Sequence, residues 1–281
     1  MTIPSPADEI LKELIAGITK VKADFIKGLY LTGSIPLQDY HHGKSDIDFL
    51  LLCNELPDQE FRKQLSDIHR KVEQNFKHSN LSGTYLTPGS LGISNCYSTQ
   101  TLSYHEKRLH PSYFDMAPII LYELKTIGIT LLGIPAQHLP IVVHINQVNR
   151  FLFENINSYW KRWIDKHSTL YKKKLLLMLM PRLTEWVILG VARQLYTLRT
   201  GAIASKTSAG QYCLEHLPQK HHLIVQQAIK IRGDNHRNML HLKSSYYVQP
   251  SIRRIIKTLD CAHFIIDQFN SEYNRMTQNS R

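Results

Sequence analysis

The chain is poor in cysteine. Its four thiols, Cys53, Cys96, Cys213 and Cys261, lie far apart and form no CxxC pair and no metal-binding spacing. That excludes a disulfide framework or a zinc ribbon and leaves reduced, buried thiols as the expectation. Long apolar runs are lacking as well. The longest, Leu175 to Met180, is six residues, against the roughly 20 a membrane span requires. The opening Met1-Thr2-Ile3-Pro4-Ser5 has neither the basic region nor the apolar stretch of a secretion signal. A cytoplasmic chain with no membrane partner is therefore expected. Acids are scarce relative to bases, with 23 Asp and Glu against 34 Lys and Arg, a formal charge of +11 and a pI near 9.4. The basic residues are spread along the chain, with one dense cluster at Lys172-Lys173-Lys174. No RNP motif, zinc-finger spacing or basic tail accompanies them. The charge reads as a surface that attracts small polyanions; nucleic acid is not an expected partner, and a monomer is expected.

What is present is concentrated between residues 33 and 48. Leu29-Tyr30-Leu31 reads as a strand, and Gly33-Ser34 as the turn that ends it. Asp46 and Asp48 then head a second apolar run, Phe49 to Leu52. Residues two apart in a strand face the same side, so Asp46 and Asp48 stand together. Neighbouring carboxylates repel unless a cation or proton lies between them. Gly33 lets the backbone approach a ligand closely, and the N–H groups of a turn favour phosphate. A carboxylate pair beside a phosphate cradle points to Mg²⁺ and ATP. Gly43-Lys44-Ser45 imitates the end of a Walker A motif. It fails, because Gln38 stands where the first Gly belongs and a strand, not a helix, follows.

Periodicity divides the rest. Helical spacing covers Ala7 to Val21, Asp58 to Phe76 and Asp115 to Ile127, with a short helix from Pro36 to Tyr40. Strands are expected at Phe25 to Leu31, Ile47 to Leu52, Leu81 to Leu86 and Ile129 to Leu132, and irregular chain from Thr87 to about His110. After the Gly- and Pro-containing connection at Gly133 to Pro140 the pattern is helical throughout: Phe151 to Ile164, Leu175 to Thr200, Ser205 to His216, Lys220 to Arg232 and Ser251 to Arg275. The expected fold class is α+β, an N-terminal α/β domain with a mixed sheet over residues 1–145 and an all-α bundle over residues 146–281.

Gly-Ser, eleven residues and Asp-x-Asp, each preceded by apolar chain, resembles the nucleotidyltransferase superfamily of the DNA polymerase β type. Within it the chain is similar to the aminoglycoside adenylyltransferases that modify streptomycin and spectinomycin. The stretch Glu185 to Lys206, with its Thr200-Gly201 turn and Ser205-Lys206, carries this resemblance, as do Glu215-His216-Leu217-Pro218 and Glu154 to Trp160. The resemblance implies an ATP site between two domains. Gly33 and Ser34 would hold the terminal phosphates, Asp46 and Asp48 the metal, and Arg193 and Lys206 the triphosphate. Asp115 fits a helix cap and a place near the site equally well. Glu185 and Trp186 are further candidates for the acceptor.

The chain departs from the family in two places. The third strand usually carries a carboxylate that serves as general base on the acceptor hydroxyl. Here that position is Ser82, which cannot take a proton at neutral pH, and such a loss typically costs about 10²–10⁴ in rate. The segment before Glu185, Leu170 to Thr184, contains no Asp or Glu, which suits a polycationic acceptor poorly. The expectation is a Mg²⁺-dependent transfer of AMP from ATP to a small-molecule hydroxyl, with an antibiotic acceptor and hence antibiotic resistance. The alternative is a catalytically weakened ATP-binding relative with a non-aminoglycoside acceptor or none.

Overall fold

Four consecutive apolar residues, Phe49 to Leu52, require cover on both faces of the strand that holds them. The computed structural model, which describes residues 3–77, 79–92, 100–112, 117–169, 181–234 and 251–279, provides both covers. The chain divides into two units, Met1–Val148 and Asn149–Arg281.

The first unit runs α1 (Ser5–Val21), β1 (Ile26–Leu31), β2 (Ile47–Cys53), α2 (Gln59–Asn75), β3 (Leu81–Leu86), β4 (Thr101–His105), β5 (Arg108–Ser112), α3 (Pro118–Ile127) and β6 (Ile129–Leu132). Its strands form one six-stranded sheet in the order β5-β4-β3-β2-β1-β6. Only the β2–β3 pair is parallel, so the sheet is mixed. Ile47, Phe49, Leu51 and Cys53 point into a core with Ile10, Leu11 and Leu14 of α1 and Phe61, Leu65 and Val72 of α2. Leu50 and Leu52 point the other way, into a core with Tyr30, Leu86 and Leu121 and Leu124 of α3. The strand alternation that places Leu50 and Leu52 on the α3 face places Asp48 there too, beyond the apolar cover.

Two local expectations change. Pro36 to Tyr40 is not a helix but a set of turns, ending where Gln38 takes a left-handed φ of 55°. A bulky residue in that region interrupts any helix. The stretch before His110 is not irregular throughout: β4 and β5 form a hairpin, His105 pairing with Arg108. Its two-residue loop, Glu106-Lys107, has φ of 48° and 63°. That is the geometry usually signalled by Asn-Gly, which is absent here. The helix expected from Asp115 begins at Pro118, with Ala117 as its N-cap. Asp115, Cys96, Lys172-Lys173-Lys174 and Leu175 to Met180 lie outside the described residues.

The second unit is helical among the described residues. It contains α4 (Ile145–Asn155, begun in the first unit), a π-helical turn (Ile156–Lys161), α5 (Arg162–Thr169), α6 (Pro181–Thr200), α7 (Lys206–His216), α8 (His222–Gly233) and α9 (Ser251–Asn279). α6 is buried on most of its circumference, through Val187, Ile188, Leu189, Val191, Ala192, Leu195 and Leu198, and it packs against α7, α8 and α9. A helix buried on most of its circumference belongs at the centre of its bundle, and here the buried set includes the polar Thr184, Glu185, Gln194 and Thr197. Arg199 near its end donates to Glu272 of α9 at 2.9 and 3.1 Å from Nε. Gly201, at φ 71°, closes α6 with its N–H on the Thr197 carbonyl at 2.8 Å. A glycine in the left-handed region commonly ends a helix this way. No helix among the described residues is long and apolar enough to cross a membrane.

Candidate active site

In the first unit, β1 leads directly into Thr32-Gly33-Ser34. The Thr32 N–H donates to the Asp48 carbonyl at 3.1 Å, which keeps this turn beside the start of β2. Gly33 has φ of 72°, and a Cβ there would run into the Asp48 carboxylate. Glycine is required at this position on both counts. The structure thus brings Gly33 and Asp48 together. Ser34 follows with its Oγ buried and without a hydrogen-bond partner among the described residues. A buried hydroxyl left unpaired is costly, and at this turn a ligand oxygen would satisfy it.

The connection to Asp46 is held by short-range bonds. The Asp39 N–H donates to the Ser34 carbonyl at 2.9 Å. The His41 N–H donates to Ser45 Oγ at 3.0 Å, and the Ser45 N–H returns to the His41 carbonyl at 2.8 Å. Asp46 lies one residue ahead of β2 and is exposed, whereas Asp48 lies within β2 and is half-buried. Burial, and after it the charge of Asp46, pushes the Tyr40 hydroxyl up to about 12. Ser82 is the register partner of Asp48 across the parallel β2–β3 pair. In a parallel ladder such partners share a face, so Ser82 stands directly beside Asp48.

No group of three or more His, Cys, Asp or Glu placed to hold a metal exists among the described residues. Mg²⁺ does not need one. It is commonly bound by one or two carboxylates together with substrate phosphates and water. Asp46, Asp48 and the orphaned Ser34 hydroxyl fit a metal that arrives with a phosphate.

One acidic residue was not singled out from the sequence. Glu123 of α3 is buried, and its carboxylate accepts a hydrogen bond from the Gly33 N–H. The signal was available: Glu123 interrupts a helix whose neighbours Leu121 and Leu124 are core residues. A carboxylate on a buried helical face needs a donor.

In the second unit the structure brings Glu185 and Lys206 together. Glu185 of α6 is buried, with Lys206 Nζ 3.7 Å and the buried Arg232 Nη1 3.4 Å from its Oε1. Lys206 is the first residue of α7, and Ser205 caps that helix by accepting from the Ser208 N–H at 3.0 Å. The Thr200-Gly201 turn therefore sets where Lys206 emerges. Arg193 is half-buried on α6 and makes no ion pair among the described residues. Trp186 sits among Tyr159, Trp160 and Trp163, with ring centroids 6.1, 4.6 and 5.1 Å away. Trp160 is buried over Gly190, where a Cβ would strike its ring. The cluster packs the π-helical turn onto α6.

Residues 164–256 match the family model "Aminoglycoside adenylyltransferase, C-terminal domain". Among solved structures, spectinomycin adenyltransferase AAD(9) from Enterococcus faecialis, determined with ATP and spectinomycin, superimposes with a TM-score of 0.64 at 17% identity. The match covers 91% of this chain and 98% of that one, so the two share a fold. A toxin-antitoxin MntA-HpeT mutant also matches, at 16% identity over 58% of this chain and 97% of that one. Its TM-score of 0.27 carries no structural argument. No curated protein sequence matches the chain.

Proposed function

We propose that this chain, whose residues 164–256 match an aminoglycoside adenylyltransferase C-terminal domain, is a nucleotidyltransferase that transfers AMP from Mg·ATP to a hydroxyl of a small molecule and releases pyrophosphate. Spectinomycin and streptomycin are the first acceptors to test. The AAD(9) structure, solved with ATP and spectinomycin, supports that choice of co-substrate and acceptor. The observation that carries the reading is the contact of the Asp48 carboxylate with Gly33 next to the orphaned Ser34 hydroxyl. It sets a carboxylate that could hold a divalent cation beside a buried hydroxyl that could meet a phosphate oxygen.

In this reading Asp46 and Asp48 hold Mg²⁺, which when bound neutralises phosphate charge and favours ionisation of a coordinated hydroxyl. Ser34 donates its hydroxyl proton to a phosphate oxygen. Gly33 keeps the turn close enough for the backbone to follow the phosphates. Lys206 and Arg193 are the cationic candidates of the second unit, and Glu185 orients Lys206 through their 3.7 Å ion pair. Trp186 offers an apolar ring edge to an acceptor. Residues 1–145 would carry the transfer chemistry, and residues 146–281 form a separate helical domain in this reading.

Pyrophosphate release with Mg·ATP and either drug tests the reading. Turnover above an Asp46→Ala control supports it, and none above that control with either drug rejects these acceptors. The second reading, an ATP-binding relative with weak or no transfer, is favoured by Ser82 standing where a carboxylate could serve Asp48's side of the sheet. Calorimetry separates the two, since Mg·ATP binding without turnover selects the second.

A further inference from the structure

Transfer to a hydroxyl requires a group that removes its proton. On the face of the sheet that carries Asp48, Ser82 cannot do so near neutral pH. Glu123 is engaged with the Gly33 N–H, and in the second unit Glu185 is held by Lys206 and Arg232. The sheet register identifies another candidate. Gly83 pairs with Tyr104 and Thr84 with Ser103 across the antiparallel β3–β4 pair. Continuing that register by one residue places His105, the last residue of β4, opposite Ser82. Tyr104 points to the α2 face, where its ring stacks 3.7 Å from His69. His105, its neighbour in the strand, leaves from the opposite face, which is the face of Asp48 and Ser82. Asp48, Ser82 and His105 therefore form one cross-strand row. Directly opposed residues have Cβ atoms about 5 Å apart, and an imidazole spans that interval.

Resting on the transferase reading above, we propose that His105 is the catalytic base, taking the proton from the acceptor hydroxyl as its oxygen attacks the α-phosphorus of ATP. The new bond joins that oxygen to phosphorus. The bond from the α-phosphorus to the bridging oxygen breaks, and its electron pair leaves with pyrophosphate. The proton passes to an imidazole nitrogen and then to water, to which the side chain is open at 58% exposure. The charged groups around His105 suit the role. Glu106 Oε1 lies 4.0 Å from its Nε2. Arg108 is its pairing partner on β5. On the α2 side, Lys107 and Glu73 form their own pair at 3.9 Å. A histidine that exchanges its proton readily near neutral pH is the usual choice for such a base.

The test measures pyrophosphate release from Mg·ATP with spectinomycin or streptomycin near neutral pH. The proteins are the unmodified chain, His105→Ala, His105→Gln and the double variant Ser82→Glu with His105→Ala. Circular dichroism and ATP binding report folding. The expected result is a kcat loss of about 10²–10⁴ in both single variants, with ATP binding unchanged. The double variant regains turnover, because it restores a carboxylate beside Asp48. Undiminished kcat in His105→Ala, or no recovery in the double variant, overturns the proposal while leaving the transferase reading intact. If the unmodified chain itself releases no pyrophosphate above Asp46→Ala with either drug, both drugs are rejected as acceptors and the proposal of His105 as base falls with them.

Discussion

Glu123 of α3 and Gly33 of the phosphate turn are joined by a hydrogen bond from the Gly33 N–H to the buried carboxylate. It ties the α3 face of the sheet to the turn that must keep its left-handed glycine. Removing the acceptor leaves a half-buried N–H without its partner, at about 1–3 kcal/mol. Glu123→Ala should lower unfolding free energy by that amount in urea titration, whereas Glu123→Gln, which retains an amide oxygen, should lose less than half as much.

Gly33→Ala meets two obstacles, a φ of 72° and the Asp48 carboxylate. Shifting either moves the carboxylate from its place beside Ser34. We expect at least about a 100-fold weakening of Mg·ATP binding or turnover, the scale of loss from displacing a positioned group by about 1 Å. Near wild-type ATP affinity by calorimetry would refute this.

Glu185 balances Lys206 and the buried Arg232. Removing one member of a buried ionic group typically costs about 3–5 kcal/mol. Because Lys206 is 27% exposed and partly hydrated, the effect of Glu185→Ala should lie near the lower end, about 3 kcal/mol. Thermal unfolding of the full chain checks it, and a melting temperature within 2 °C of wild type, roughly the resolution of such a shift, would contradict it.

His69 lies in the core between α2 and the sheet, with its Nε2 2.6 Å from the Tyr85 hydroxyl, and burial pushes its pKa down to about 3. The unfolded chain takes up a proton on this residue near pH 6.5, whereas the folded chain does so only near 3. Below pH 6.5 the unfolded state binds more protons, so stability falls as pH falls, through to about pH 3. The full loss is on the order of 5 kcal/mol. Unfolding free energies at pH 7.5 and 4.5 should differ by a large part of this in wild type and by much less in His69→Gln, both pH values lying about either side of the free-histidine range.

Much of the site was legible because its chemistry is local. Gly33, Ser34, Asp46 and Asp48 fall within one turn and the start of one strand, and alternation alone puts Asp48 on the face where Leu50 and Leu52 point. The structural part of the resemblance holds as well, in the α+β fold and in the C-terminal domain match. Contacts made across the fold were not legible. Glu123 is 90 residues from Gly33, and Arg232 is 47 from Glu185, distances over which no spacing rule operates. The β4–β5 hairpin escaped notice because Glu106 and Lys107 take left-handed conformations without the residues that announce them, and because Pro111 in β5 argues against a strand. The helix expected at Pro36 to Tyr40 failed at Gln38, whose left-handed backbone nothing in its identity signals.

The sheet's two rims differ from its centre in a way that bears on handling the protein. At one rim, β5 carries Arg108 and Pro111 along a mostly exposed edge; at the other, β6 is only four residues long before Gly133 turns the chain away. Charge, a residue without an amide hydrogen and brevity each deny a foreign strand a template. Concentrated solutions should thus resist ribbon-like association, and that protection would be the first property lost on replacing Pro111 and Arg108 with valine.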